Sequence, residues 1–125
     1  MGSEVAVVRV MLVDDQPPVL RAMAALVEET PGFVVVGRAV SGEEALTAAA
    51  LLLPDVVVMD VNLPGIDGLE ATRRILSHSP ATMVLLVSTY DEEAGASFVT
   101  ESGAAAYVTK ARFGPDQLEK VWSGS

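Results

Sequence analysis

Side chains able to bind a metal ion or an anion follow four of the short apolar runs in this sequence. They are the adjacent acids Asp14 and Asp15, then Asp60, Ser88 and Lys110. If these runs are parallel strands of one sheet, three carboxylates, a hydroxyl and an amine reach the same edge. Carboxylates held that close repel one another unless a cation is present, and ligands that are all oxygens suit Mg²⁺. The pattern therefore predicts a magnesium site at one edge of a sheet.

Each of these residues also has a plain structural explanation. An Asp-Asp pair after a strand is commonly a helix cap or a turn, and a lone lysine is usually a solvated surface group. Unrelated turn residues, however, have no reason to supply complementary groups after four separate strands. The combination of these residues therefore supports a functional site more strongly than any single one of them does.

The apolar runs themselves predict five buried strands. They are rich in β-branched residues and barely alternate in polarity, as expected when helices cover both faces of a parallel sheet. The predicted strands are Val8–Val13, Phe33–Arg38, Val56–Met59, Met83–Ser88 and Ala105–Val108.

Helical patterns separate these strands. Apolar residues recur at helical spacing from Val19 to Val27, and Ser41 begins a second helix as the first residue of a capping box with Glu44. The second helix is predicted to run to Leu53, and the remaining predicted helices are Asp67–Ser77, Asp91–Ser102 and Pro115–Trp122. This alternation predicts an α/β fold with an open, doubly wound sheet that binds ligands at the carboxyl ends of its strands.

The composition fits one globular domain without disulfides or structural zinc. None of the 125 residues is cysteine, which excludes disulfide scaffolds, zinc ribbons and thiol enzymes. The 17 acidic residues outnumber the 8 lysines and arginines, and the net charge of -9 argues against direct binding to nucleic acid. We expect the domain to span residues 4–122, with residues 1–3 and 123–125 as the ends of an expressed fragment.

The apolar stretch Val5–Val13 predicts neither a signal peptide nor a membrane span. Glu4 precedes it, Arg9 interrupts it and Asp14 follows it. We therefore expect a cytoplasmic protein that does not contact a membrane.

Four segments resemble the receiver domain of bacterial two-component response regulators. In chain order they are Leu12–Gln16, Val58–Glu70, Val87-Ser88 and Gly103–Lys110. The resemblance extends over about the whole chain, with the motifs in family order and spacing. It implies a flavodoxin-like fold, a doubly wound five-stranded parallel sheet with the strand order 2-1-3-4-5.

Two further segments, Pro31–Ala39 and Ser41–Ala45, are similar to the NarL/FixJ type of response regulator. Receivers of that type usually precede a helix-turn-helix domain, and these residues do not contain one. The resemblance thus implies control of transcription, with DNA contacted only through a C-terminal domain outside this sequence.

The resemblance also implies a role for each acid at the sheet edge. Asp60 would be the nucleophile that accepts a phosphoryl group from a sensor histidine kinase. Asp15 would ligate Mg²⁺ directly, together with Asp60 and the backbone carbonyl of Asn62. Asp14 would act mainly through bound water.

Three further residues would respond to the phosphoryl group in such a domain. Lys110 would pair with the phosphoryl oxygens, and the Ser88 hydroxyl would reach them once they are present. Tyr107 would be an aromatic switch that turns inward when Ser88 moves. Formation of a homodimer on phosphorylation is a further expectation of this resemblance.

The sequence departs from the usual pattern after the lysine, and two neighbouring positions are variable in the family. Ala111 stands where many members have proline, so a cis peptide bond there would cost about 3 to 4 kcal/mol. Asn62 and Tyr90 occupy positions that influence how long the phosphoryl group survives. Tyr90 either screens the attacking water or lies on the surface as an unrelated ring.

Two other functions remain open at this point. One is a free-standing receiver that acts as a phosphorelay component or a protein-binding switch. The other is a magnesium-dependent phosphohydrolase with Asp60 as its nucleophile. Such hydrolases usually place a second acid two residues after the nucleophile, where this sequence has Asn62.

Overall fold

The chain folds into one parallel sheet flanked by helices. A computed structural model describes residues 6–124, so residues 1–3, the start of the predicted domain at residue 4 and Ser125 lie outside the described part. The strands are β1 (Val8–Val13), β2 (Phe33–Ala39), β3 (Val56–Asp60), β4 (Met83–Ser88) and β5 (Ala106–Thr109).

The strands are ordered β2-β1-β3-β4-β5, and each neighbouring pair is parallel. This confirms the predicted flavodoxin-like, doubly wound sheet. From β1 the chain first adds a strand on one side and then crosses to the other side, so the topology reverses between β1 and β3. Ligands of such sheets bind in the crevice at the carboxyl ends of these two strands.

Three strands end one residue later than predicted, because backbone pairing continues past the predicted last residue. Asp60 pairs with Val87, so β3 includes the aspartate instead of ending before it. Thr109 pairs with Ser88, so β5 ends one residue later than predicted, and it also begins one residue later, at Ala106. The third strand of this kind is β2, whose last residue Ala39 pairs with Val13.

Five α-helices alternate with the strands, and their ends follow the capping signals in the sequence. They are α1 (Pro17–Glu28), α2 (Gly42–Leu52), α3 (Gly68–His78), α4 (Glu92–Ser102) and α5 (Pro115–Ser123). The side chains of Ser41, Asp67 and Asp91 each accept the backbone N–H three residues later and so begin a helix. Within residues 6–124, no helix combines the length and apolarity needed to cross a membrane.

Two apolar cores, one on each face of the sheet, explain why the strands do not alternate in polarity. Val10, Leu12, Val56 and Val58 belong to the core shared with α1 and α5. The residues between them, Met11, Val13, Val57 and Met59, belong to the core shared with α2 and α3. Both faces of β1 and β3 are thus buried. The first polar side chains after these apolar runs, Asp14 and Asp60, lie at the carboxyl edge of the sheet.

Candidate functional site

The carboxyl ends of β1 and β3 bring three carboxylates together. Val13 pairs with Met59, so Asp14 and Asp60 are the next residues on adjacent strands. One oxygen from each of Asp14, Asp15 and Asp60 lies within 4.8 Å of the others. Asp14 and Asp60 are buried, whereas Asp15 is exposed to solvent. The three acids predicted from the sequence therefore form one cluster that solvent reaches through Asp15.

The environment of Asp60 disfavours its charged form. Burial raises the pKa of the Asp60 carboxyl from 3.8 to about 6, and the neighbouring Asp14 charge adds to the rise. Two contacts lower this pKa but offset only part of the rise. One is the nearby charge of Lys110, and the other is a 3.2 Å hydrogen bond from the Asn62 N–H to Asp60 Oδ1. A cation at the cluster would restore the charged form that a nucleophile requires.

Lys110 supplies one positive charge to this cluster. It follows β5 and begins a 3₁₀ turn, Lys110–Arg112, which places its side chain over the sheet edge. Its Nζ atom lies 2.7 Å from Asp14 Oδ2 and 3.4 Å from Asp60 Oδ2. Partial burial alone would lower the pKa of the Lys110 ammonium, but the contacts with the two carboxylates outweigh it and raise the pKa. The amine is therefore charged at neutral pH.

The peptide bond between Lys110 and Ala111 is trans, as are the others in the described part of the chain. The turn that holds Lys110 thus forms without the cis geometry considered for this position.

The donor set fits a small divalent cation such as Mg²⁺. Three carboxylates against one ammonium leave two negative charges in excess, which is the charge of one divalent ion. Asp14 Oδ2 contacts the Lys110 ammonium at 2.7 Å and has no other hydrogen-bond partner among the residues that the structure describes. A buried carboxylate oxygen with spare lone pairs favours a metal ligand or an ordered water. All the available donors are oxygens, as Mg²⁺ prefers.

Asn62 lies in the loop between β3 and α3, next to this cluster. Its N–H is bound to Asp60 Oδ1, and the residue itself is exposed. The start of α3 packs directly on the end of β3, since a Cβ at Gly68 would come within 2.0 Å of the Asp60 carbonyl oxygen. This close approach requires glycine and fixes where the loop begins and ends.

Ser88 and Tyr107 meet on the neighbouring strands. Ser88 is the last residue of β4 and is fully buried, and its Oγ accepts the Tyr90 N–H at 2.9 Å. The Tyr107 hydroxyl donates to the Tyr90 carbonyl at 2.8 Å and lies 3.4 Å from Ser88 Oγ. The tyrosine expected to move between an outward and an inward position thus occupies the inward position in this structure.

Two residues around Tyr107 were missed by the sequence reasoning. The Phe98 ring makes edge contacts with both Tyr90 and Tyr107, with ring centroids 5.7 Å apart in each pair. A Cβ at Gly95 of α4 would lie 2.3 Å from Tyr107 Cδ2, so only glycine leaves room for this position of the ring. A glycine inside a helical pattern is a signal that could have identified the contact.

Tyr90 is neither an isolated surface ring nor a closed cover over the acids. Its side chain is 47% exposed, and one edge packs on Phe98. Its hydroxyl lies 3.5 Å from the side-chain oxygen of Asn62, which is the outer limit of a hydrogen bond. The ring therefore borders the mouth of the site on the β4 side.

Known proteins resemble this chain both in sequence and in fold. Residues 10–122 match the response regulator receiver domain family. The response regulator GacA of Pseudomonas viridiflava is 44% identical over 103 residues, which cover 82% of this chain and 48% of GacA. A protein-glutamate methylesterase/protein-glutamine glutaminase of Methanospirillum hungatei is 40% identical over 119 residues, 91% of this chain and 34% of that protein.

A solved crystal structure of a response regulator has the same fold as this chain. The crystal structure of a LuxR-family two-component response regulator from Aurantimonas superimposes with a TM-score of 0.83 at 38% identity, over 95% of this chain and 84% of that one. This chain spans about half the length of GacA and about a third of the methylesterase. Since the family match runs from within β1 to within α5 and includes every residue of the acidic cluster, the chain belongs to the response regulator receiver domain family.

Proposed function

We propose that this chain is a phosphoacceptor that receives a phosphoryl group on Asp60 from a sensor histidine kinase. One observation carries the proposal. Asp60 is a buried carboxylate at the topological switch point, flanked by two further acids and by the amine of Lys110. Phosphoryl transfer needs a positioned nucleophile and positive charge around the transferred group, and little else from the protein.

The residues around Asp60 have separate roles in the proposed phosphoryl transfer. An Asp60 carboxylate oxygen attacks the phosphorus while the bond to the donor's imidazole nitrogen breaks on the opposite side. Lys110 Nζ, 3.4 Å from Asp60 Oδ2, is within reach of the new phosphoryl oxygens and offsets their charge. Bound Mg²⁺ would offset the remaining charge, held by Asp15, Asp60 and the Asn62 carbonyl, with Asp14 acting through water.

Ser88 and Tyr107 would carry the signal away from Asp60. The Ser88 hydroxyl lies beside the phosphoacceptor strand, since its neighbour Val87 pairs with Asp60. Donation of its proton to a phosphoryl oxygen shifts the hydroxyl toward Asp60 and favours the inward position of Tyr107. Phosphorylation only biases conformations that the domain already samples, so the inward state is also present without it.

The output of the full-length protein is a separate proposal. The likeness of this chain to GacA and to a LuxR-family regulator supports a NarL/FixJ-type protein with a C-terminal helix-turn-helix domain that binds DNA. Transcription, and a homodimer formed on phosphorylation, would then depend on that domain as well as on this one. The likeness to the methylesterase supports a different output, an enzyme domain controlled by the same receiver. The full-length gene distinguishes these outputs from each other and from a free-standing receiver.

Intact-mass measurement tests the phosphoacceptor directly. Incubation with acetyl phosphate and Mg²⁺ should add one phosphoryl group that acid or hydroxylamine treatment removes. Asp60→Asn should gain no mass, and an equal gain in that variant would refute the assignment. Steady turnover of a generic phosphomonoester would instead support the phosphohydrolase alternative, which Asn62 in place of a second acid disfavours.

A further inference from the structure

Glu43 of α2 contacts the loop that connects the phosphoacceptor strand to α3. Its Oε2 atom accepts the backbone N–H of Ile66 at 3.1 Å, across 23 residues of sequence. Ile66 lies in the segment 61–67, which begins directly after Asp60 and includes Asn62. A side chain far from the acidic cluster in sequence thus holds the loop that borders the cluster.

Two glycines allow this contact. A Cβ at Gly65 would lie 2.5 Å and 2.7 Å from the two carboxylate oxygens of Glu43, and the residue has φ +75°. A Cβ at Gly42 would lie 2.8 Å from the Ile66 carbonyl oxygen and 2.5 Å from its Cγ1 atom. The loop backbone therefore rests directly on the first turn of α2. A larger residue at Gly42 would push the loop backbone away, and one at Gly65 would displace the Glu43 carboxylate.

The other end of the loop is fixed independently. The Gly68 N–H donates to the Val61 carbonyl at 2.9 Å, and Gly68 packs against the Asp60 carbonyl. The base of the loop is thus closed, while its tip at Ile66 is held by Glu43. Asn62 lies between these two attachments, so its backbone position depends on both.

We propose that Glu43 is a positioning residue that fixes the tip of the 61–67 loop and, through it, the Asn62 backbone for a bound divalent cation. The inference rests on the proposed function, because it assumes that the Asn62 carbonyl is a metal ligand. Loss of the acceptor leaves the Ile66 N–H without its protein partner and lets the loop sample other positions. Groups that orient the ligands of a metal affect its affinity even though they do not touch it.

The test is a Mg²⁺ titration of the unphosphorylated chain, followed by the backbone amide signals of Asn62 and Ile66 in NMR spectra. Glu43→Ala should weaken Mg²⁺ binding by about threefold to tenfold, somewhat less than for buried groups that orient metal ligands. Glu43→Gln keeps a carbonyl oxygen that can accept the Ile66 N–H, so it should restore most of the affinity. Exchange of the Ile66 amide proton should speed up in Glu43→Ala and stay near wild type in Glu43→Gln.

Glu44→Ala is the matched control. Glu44 is the next residue of the same helical turn and carries the same charge, but its carboxylate accepts the Val40 N–H instead of an N–H of the loop. Equal Mg²⁺ affinity in wild type and Glu43→Ala, or equal weakening in Glu43→Ala and Glu44→Ala, would overturn the proposal while leaving the phosphoacceptor intact. Absence of any Mg²⁺ response at the Asn62 amide in the wild type would instead overturn the proposed function and this inference together.

Discussion

The charge on Asp60 should destabilise the folded domain in the absence of metal, and Asp60→Asn should remove that cost. The folded domain raises the pKa of this carboxyl from 3.8 to about 6, mainly because the group is buried. A group with a raised pKa binds its proton more tightly in the folded state than in the unfolded state. The stability linked to Asp60 is therefore full at low pH, falls as the pH rises from about 4 to about 6, and stays reduced above that range.

The size of the effect follows from the same two values. A rise from 3.8 to about 6 is about two pH units, and each unit corresponds to 1.36 kcal/mol, so the cost above pH 6 is about 3 kcal/mol. Asparagine has nearly the same shape and carries no charge. The 2.7 Å ion pair between Lys110 and Asp14 keeps the amine partnered in the variant. Asp60→Asn should thus be more stable than wild type by about 2 to 3 kcal/mol at pH 8, with little difference near pH 4.

The assay is urea denaturation at pH 4 and pH 8 in the presence of EDTA, which keeps divalent cations from the cluster. Glu119→Gln is the control, because it removes one negative charge from an exposed position on α5, away from the acids. It should change the free energy of unfolding by less than about 0.5 kcal/mol. A gain in Asp60→Asn that is the same at both pH values, or that Glu119→Gln reproduces, would refute the reasoning.

Three further predictions concern the metal and the switch. Mg²⁺ at a hundredfold excess over Kd should stabilise the domain by about 2.7 kcal/mol in a thermal melt, and Asp15→Ala should lose this gain; an equal gain in both proteins would place the ion elsewhere. Ser88→Ala should still accept a phosphoryl group at Asp60 by intact mass, yet show smaller amide shifts around Tyr107 than wild type; equal shifts would exclude the hydroxyl as the link. Gly95→Ala should displace the Tyr107 ring, seen as lost contacts to Phe98 in NOE spectra, and unchanged contacts would contradict the steric argument.

The sequence could predict most of the fold because short-range signals determine it. Runs of β-branched residues mark strands buried on both faces, and Ser41, Asp67 and Asp91 mark where helices begin, since each satisfies a free N–H within its own turn. The strand order followed from the family resemblance, and the structure confirms it.

The acidic cluster could also be predicted, for a topological reason. Parallel strands of one sheet end at the same edge, so a polar residue that ends an apolar run is carried to that edge whatever the details of packing. This accounts for Asp14, Asp15 and Asp60, which the structure brings within 4.8 Å of one another. It also places Lys110 and Ser88 at that edge, on the neighbouring strands.

Only the tertiary structure decided the contacts that depend on close approach between distant segments. The Glu43 carboxylate meets the Ile66 N–H across 23 residues, and Gly95 admits the Tyr107 ring across the gap between α4 and β5. A local pattern can mark Gly95 as an unusual helix residue, but it does not name the partner, because each contact depends on how a helix packs against a loop or a strand distant in sequence. The raised pKa of Asp60 is of the same kind, since burial is a property of everything packed around the carboxyl. The sequence by itself determined which groups reach the sheet edge, and the packed fold determined their charge, their orientation and the partners that hold them there.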